Sequence, residues 1–193
     1  MALALAMGGA ARAAPADPGP EAVRLHDEVR RRTDRRGMSV LGGWAVGNMA
    51  VGGVGAAVAE DPRWRGFHIG NLAWNTVNLG IAGLGLAGGA RQPAGADWPD
   101  TLLASHRTRV VLAVNAGIDI AYITAGAWLR QRGIDDADPM KAGLGEAVAL
   151  NGIFLLGFDA TMLALHGRND RRLLRPWVAQ AGRGGQLGFT QLF

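Results

Sequence analysis

Residues 67–88 read FHIGNLAWNTVNLGIAGLGLAG and contain no Lys, Arg, Asp or Glu. A helix of about 20 mostly apolar residues is long enough to cross a bilayer. Asn71, Asn75 and Asn78 follow at i, i+4 and i+7, with His68 one turn before them, so the four side chains share one helical face. Unpaired amides are costly in hydrocarbon. The segment is therefore predicted to cross a membrane with this polar face turned towards other helices.

Three further segments, residues 38–59, 110–129 and 147–165, are almost free of charge, and most of the 20 basic and 16 acidic residues lie between such segments. This segregation is typical of helical membrane proteins. A soluble four-helix bundle would need a charged outer face on every helix, and none of the four segments has one. The sequence therefore predicts an all-α polytopic membrane protein, with four transmembrane helices in an antiparallel bundle.

The chain divides into four parts. Residues 1–20 are a signal-like or flexible segment, with Ala11-Arg12-Ala13 resembling a cleavage site but without a basic start. Residues 21–36 are predicted to form an amphipathic helix on anionic lipid, and a solvated basic segment is the alternative. Residues 37–167 form the four-span domain, and 168–193 a basic amphipathic tail.

Basic residues are distributed unevenly between the two sides of the predicted bundle. The side with both termini carries 15 Lys and Arg residues, whereas the opposite side carries five. The positive-inside rule then places both termini in the cytoplasm, with the spans in an inner (cytoplasmic) membrane. A cleaved signal peptide would invert this topology. The basic residues flank spans and suit anionic lipid headgroups, so nucleic acid is not an expected partner.

The predicted spans carry polar side chains at similar depths, which indicates a shared polar core. A buried charge at this depth is costly, so Asp119 and Asp159 are either interhelical hydrogen-bonding groups or a proton or cation site. His68 and Asn71 form a candidate site nearer the surface. The candidate core residues are Asn48, Asn75, Asn78, Asn115, Asp119, Tyr122, Asn151 and Asp159.

No known cofactor or catalytic motif stands out. The chain has no cysteine, which excludes thiolate metal sites and cysteine catalysis. A haem or metal held by His106 and His166 is not expected, because a bis-histidine haem needs ligands that face each other across the core, and His106 lies outside its span. The sequence contains no nucleophile triad and no phosphate-binding loop, so the protein is expected to be non-enzymatic.

Four strings, GMSVLGGWAVGNMAVGG, FHIGNLAWNTVNLGIAGLG, NAGIDIAYITAGAWLRQRG and FLLGFDATMLALHG, resemble a family of small four-helix bacterial integral membrane proteins of unknown function. The resemblance covers residues 37–167. One departure is Ile69-Gly70, where the family pattern has Gln-Met after the histidine. The pattern residues are Phe67, His68, Asn71, Trp74, Asn75, Val77, Asn78 and Leu79.

The expected function is that of a structural or accessory subunit in a larger membrane complex, with other membrane proteins as partners. The alternative is a small transporter or a proton- or cation-binding protein that uses Asp119 and Asp159. A subunit should have a closed core, whereas a transporter should have a water-filled cavity that reaches both acids.

Overall fold

Four α-helices make up the structure, a computed structural model that describes residues 18–91 and 97–182. They are α1 (Pro20–Val58), α2 (Pro62–Arg91), α3 (Trp98–Asp135) and α4 (Pro139–Gly182), and the described residues contain no strand. Proline opens three of the helices, where its missing N–H costs no hydrogen bond. The all-α prediction with four helices is confirmed. The signal-like residues 1–17 and the last eleven residues of the tail lie outside the described part.

Three helices are long and apolar enough to cross a membrane: α1, α3 and the part of α4 up to Arg172. The remaining helix, α2, carries three asparagines, which lower its mean hydropathy. All three are at most 2% exposed. The amides of α2 therefore lie inside the bundle, and its exposed residues from Ile69 to Ala90 are apolar except for Thr76.

The helices extend well beyond the apolar segments. At about 1.5 Å per residue, the 39 residues of α1 and the 44 of α4 are about 58 Å and 66 Å long. A hydrocarbon core is only about 30 Å thick. Residues 21–36, predicted to form an amphipathic helix on anionic lipid, are helical and form the first part of α1 without a break. Residues 168–182 likewise continue α4.

The most extensive contacts between helices are those of α1 with α2 and of α3 with α4, and α2 also packs along α4. Over the described residues, no Cα atom of α2 comes within 8 Å of one of α3. At the end away from the termini, Glu146 on α4 accepts hydrogen bonds from Arg63 on α2 and Arg130 on α3. The bundle is therefore tightly joined at this end and open between α2 and α3 further along.

Glycine lets α3 and α4 approach at backbone distance. A Cβ atom on Gly126 would lie 2.7 Å from the Gly145 carbonyl oxygen, and one on Gly145 would lie 2.6 Å from the Gly126 carbonyl oxygen. A Cβ atom on Gly43 or Gly117 would instead have no neighbouring atom within 4 Å. Close packing in this bundle therefore depends on only some of the glycines.

Candidate functional site

Asparagines from three helices form a hydrogen-bonded network. Asn75 Nδ2 donates to Oδ1 of Asn71 and to Oδ1 of Asn151, both at 3.0 Å. Asn151 Nδ2 donates to Asn71 Oδ1 at 3.0 Å, which closes the ring between α2 and α4. Asn78 Nδ2 donates to Asn75 Oδ1 at 3.3 Å, and Asn71 Nδ2 donates to Asn48 Oδ1 on α1 at 2.9 Å. The helical spacing of the α2 asparagines thus aims all three amides at one interface.

One predicted position needs correction. Asn71, assigned with His68 to a site near the surface, is 1% exposed and belongs to the amide network. Asn48, predicted as a core residue, accepts a hydrogen bond from Asn71. His68 is half-buried, its ring packing edge-on to Phe67 with centroids 5.5 Å apart. The structure therefore separates His68, in an aromatic contact, from Asn71, in the core.

Asp119 on α3 and Asp159 on α4 meet inside the bundle. They are 3% and 5% exposed, and their carboxyl groups lie within hydrogen-bonding range of each other. A hydrogen bond between two carboxyl groups requires a proton on one of them, because ionised carboxylates only accept.

A cavity of about 540 Å³ lies beside this acid pair and is bounded by all four helices. Asp119 and Asp159 both line it, with Asn78 from α2 and Tyr122 from α3. Asp119 Oδ2 is buried and receives no hydrogen bond from an amide, hydroxyl or basic group within the described residues. Most of the remaining wall is apolar, with Met38, Leu41, Ile81, Leu112, Phe158 and Met162 among its members.

Exposed residues in the wall indicate two openings of the cavity. At one end its wall includes Asp34, whose side chain is 33% exposed, and Arg107, which is exposed. At the side, Ile81 on α2 and Ile118 on α3 line the wall and are 51% and 42% exposed. Because α2 and α3 do not approach each other there, we place the side opening between them.

Two of the predicted core residues are exposed on this cavity. Asn115 is exposed at the wall, and Tyr122 is 36% exposed. The Tyr122 ring meets the Trp74 ring edge-on, with centroids 4.7 Å apart. This contact bridges α2 and α3 beside the cavity. Asn115 is corrected from a core position to a wall position, because no helix packs over it.

A second polar cluster, which the sequence did not predict, lies where the first part of α1 meets α3 and α4. His26 Nε2 lies 2.9 Å from Asp170 Oδ1, and Ser105 Oγ donates to the same oxygen at 2.5 Å. Arg109 Nη1 donates to Asp170 Oδ2 at 3.1 Å. Asn169 Nδ2 donates to the His26 carbonyl oxygen at 3.0 Å. These partners are 61 to 144 residues apart, so no local spacing could indicate the cluster.

Asp170 lies beyond the apolar segment that ends at Leu165. Burial by itself would raise the pKa of this carboxyl group. Hydrogen bonds from His26, Ser105 and Arg109 to the ionised form outweigh that effect and lower its pKa to about 2. Asp170 is therefore a carboxylate at neutral pH, held by donors from two other helices.

Asp34, which lines the cavity, lies next to two other titratable side chains. Its Oδ1 lies 3.0 Å from His166 Nε2, and Arg30 Nη1 donates to its Oδ2 at 3.4 Å. His166 is 1% exposed, whereas His106 is exposed. In the described ranges, no group of three or more His, Cys, Asp or Glu side chains could hold a metal ion. His166 thus faces an acid at the mouth of the cavity.

Residues 40–160 match the sequence model of a family described as a family of unknown function, DUF6992. The matched part includes the amide network and ends just after Asp159, so it contains both acids. It excludes His26, Asp34, His166 and Asp170. No curated protein and no solved structure matches the chain.

Proposed function

Because the chain belongs to DUF6992, a family of unknown function, we propose a function from its geometry. We infer a non-enzymatic integral membrane protein that binds a proton or a monovalent cation at Asp119 and Asp159. The observation that carries this proposal is the meeting of the two carboxyl groups beside the cavity. Carboxyl groups at membrane depth often mark proton or ion pathways. A pair that shares one proton can exchange it for one cation without a change in net charge.

The proposed setting is a bacterial inner membrane crossed four times in antiparallel order, with both termini in the cytoplasm. Neighbours along α1 and α2 support the order, since Gly42 lies next to Ala82 and Gly52 next to Leu72. The buried asparagines of α2 support its crossing, because its lipid-facing surface is then apolar. The excess of arginine on the terminal side supports the orientation and contacts with anionic headgroups.

The proposal is tested by replacing Asp119 with Asn in the full chain, purified in mild detergent. The amide keeps the size and hydrogen-bonding capacity of the side chain and removes the exchangeable charge. We expect the wild-type unfolding temperature to shift between pH 5 and pH 8 and with added Na⁺ or K⁺. In Asp119→Asn the cation dependence should disappear and the pH dependence should become weaker, while the protein stays folded.

An additional variant distinguishes the loss of the ion site from the loss of hydrogen bonding between the helices. Asp119→Leu removes hydrogen bonding as well as charge, so it should lower stability at every pH. The matched control is Asp135→Asn, an exposed acid on the same helix, which should behave as wild type. Identical pH and cation profiles for wild type and Asp119→Asn would contradict the proposal and leave the two acids as hydrogen-bonding groups between helices.

A second candidate function, an accessory subunit of a membrane complex, is favoured by a different observation. Residues 83–90 of α2 are all exposed. A Cβ atom added to Gly80, Gly83 or Gly88 would have no neighbouring atom within 4 Å. A helix from another membrane protein could pack closely on this surface. Purification in mild detergent followed by mass spectrometry tests this candidate. A stoichiometric partner that is lost in Gly83→Leu would support it, and a chain that purifies alone would contradict it.

A further inference from the structure

The cavity is much larger than its acid pair needs if the ligand is only a proton. Its volume of about 540 Å³ compares with about 30 Å³ for one water molecule in the liquid. Cavities of this size, with apolar walls and a few converging polar groups, are typical of small-molecule sites. Metal ions such as Ca²⁺ and Mg²⁺ instead need several oxygen ligands around one point. The size and the apolar wall therefore indicate a ligand with an apolar body.

The charges on the wall favour a positive ligand. Three acids face the cavity, and α2 contributes no titratable group. The acid pair carries one net negative charge when it shares one proton, and Asp119 Oδ2 has no N–H or hydroxyl donor among the described residues. A single positive group placed there would satisfy this oxygen. The charged and titratable groups of the wall are Asp34, Arg107, Asp119, Tyr122 and Asp159.

Aromatic rings complete the chemistry of the wall. Tyr122 from α3 and Phe158 from α4 both line the cavity. Aromatic faces attract organic cations, and the attraction increases where water is excluded. Phe158 also stacks near Phe154, with ring centroids 6.3 Å apart, so its position is fixed by packing. A weakly hydrated organic cation suits these surfaces better than a strongly hydrated alkali ion.

We propose that the cavity binds an amphiphilic organic monocation, an amine or quaternary ammonium or phosphonium group attached to an apolar body. Its positive group lies at Asp119 and Asp159, and its apolar body lies against Leu112, Phe158 and Met162. The ligand enters through the side opening between α2 and α3. This inference rests on the proposed cation site and specifies its substrate class.

The test compares two probes of the same shape and opposite charge, tetraphenylphosphonium and tetraphenylborate. Binding is measured by equilibrium dialysis against the full-length protein in nonionic detergent at pH 8. We expect saturable binding of the phosphonium cation and only detergent partitioning of the borate anion. The double variant Asp119→Asn/Asp159→Asn should bind the cation at least about tenfold more weakly, whereas Asp135→Asn should bind as wild type.

A variant on the wall tests the cavity without touching the acids. Ile118→Trp adds bulk at an exposed position, so the protein should fold while the entrance narrows, and cation binding should weaken about tenfold. Equal uptake of both probes, or cation binding unchanged in the double variant and in Ile118→Trp, would overturn the inference. If the stability of wild type depends on pH and Na⁺ through Asp119 but the protein binds no phosphonium, the organic-cation inference is overturned and the proposed function stands. If the protein shows neither this dependence nor phosphonium binding, the inference and the proposed function are both overturned.

Discussion

Donors from two other helices converge on the Asp170 carboxylate, and each brings a different chemistry. His26 supplies a ring nitrogen, Ser105 a hydroxyl and Arg109 a guanidinium group. The Arg109 side chain is 47% exposed, whereas that of Asp170 is 9% exposed. Breaking such a group strands buried polar atoms, which costs more than the net value of each hydrogen bond. The cluster should therefore stabilise the part of the bundle beyond the apolar segments.

Replacing Asp170 with Asn should lower the free energy of unfolding by about 1–3 kcal/mol at pH 7, because the donors lose their ionised acceptor. The effect should depend on pH. The pKa of about 2 in the folded protein is below the usual 3.9, so the stabilisation is complete above about pH 4. It is lost as the pH falls through 2. Unfolding of both proteins between pH 7 and pH 2.5 measures this difference.

The comparison isolates Asp170 because other acids titrate equally in both proteins. Glu28→Gln, an exposed acid on α1, provides the control and should follow wild type throughout. A difference in the free energy of unfolding between wild type and Asp170→Asn that stays constant down to pH 2.5 would contradict the lowered pKa of Asp170.

For individual residues, the sequence predicted which polar side chains share a helical face, but it did not predict the residues to which they are hydrogen-bonded. The i, i+4, i+7 spacing of the α2 asparagines follows from helical geometry, so it identifies three residues that share one face. It does not say which helix that face meets. Asn71 was assigned away from the core because it lies near the start of its apolar segment, and the Asn151 amide that buries it is 80 residues away.

At the level of the helices, α3 and α4 share the most extensive contact. Backbone atoms of one helix occupy the space that a Cβ atom would fill on the other at Gly126 and Gly145. In a bilayer no hydrophobic effect drives helices together, so close van der Waals packing contributes much of their association. The glycine contact should accordingly matter more than an exposed glycine on the same helix.

Gly145→Ala and Gly157→Ala compare two positions on α4. The first methyl group would meet the α3 backbone, so we expect a loss of about 1–3 kcal/mol. The second would meet nothing within 4 Å, so we expect no change or a gain of up to about 1 kcal/mol from helix propensity. Thermal unfolding in detergent micelles measures both. Equal effects of the two substitutions would show that the contact contributes no stability.

The helices themselves were largely predictable, but one boundary was not. Gaps in the charge pattern located the apolar parts of all four helices. The arginines at 30–32 and 35–36 favoured a surface helix, although Asp27, Glu28 and Asp34 lie at i, i+3 and i, i+4 spacing from three of them. In the structure Arg30 is 6% exposed, its Nη2 donating to Asp27 at 2.6 Å, and it lies on the same continuous helix as Leu41. Charge marked the end of an apolar segment and not the end of a helix.

The whole molecule has two unlike ends. The end with the termini holds the cluster around Asp170, and the other holds the Glu146 ion pairs. Arginine is concentrated at the first of these ends, which is the basis for placing it in the cytoplasm. The cavity itself was not predictable from the sequence, because no spacing along one helix reports a gap between two others.

Orientation is tested by fusing reporters after Phe193. A cytoplasmic fluorescent protein should be active there, and alkaline phosphatase, which matures only in the periplasm, should be inactive. Fusions in the turn after α3, at Asp136, should give the reverse pattern. Phosphatase activity from the Phe193 fusion would invert the topology and support a cleaved signal peptide.

The side opening between α2 and α3 has a consequence for how this protein would sense its surroundings. In a bilayer the opening leads into lipid, so an entering compound is drawn from the amount dissolved in the membrane. That amount equals the aqueous concentration multiplied by the partition coefficient. Two compounds with identical contacts but tenfold different lipid solubility would then differ about tenfold in apparent aqueous affinity. Measured per mole of lipid, they would be indistinguishable. The bilayer would act as a first filter for oily molecules, and the two aspartates as a second one for their charge.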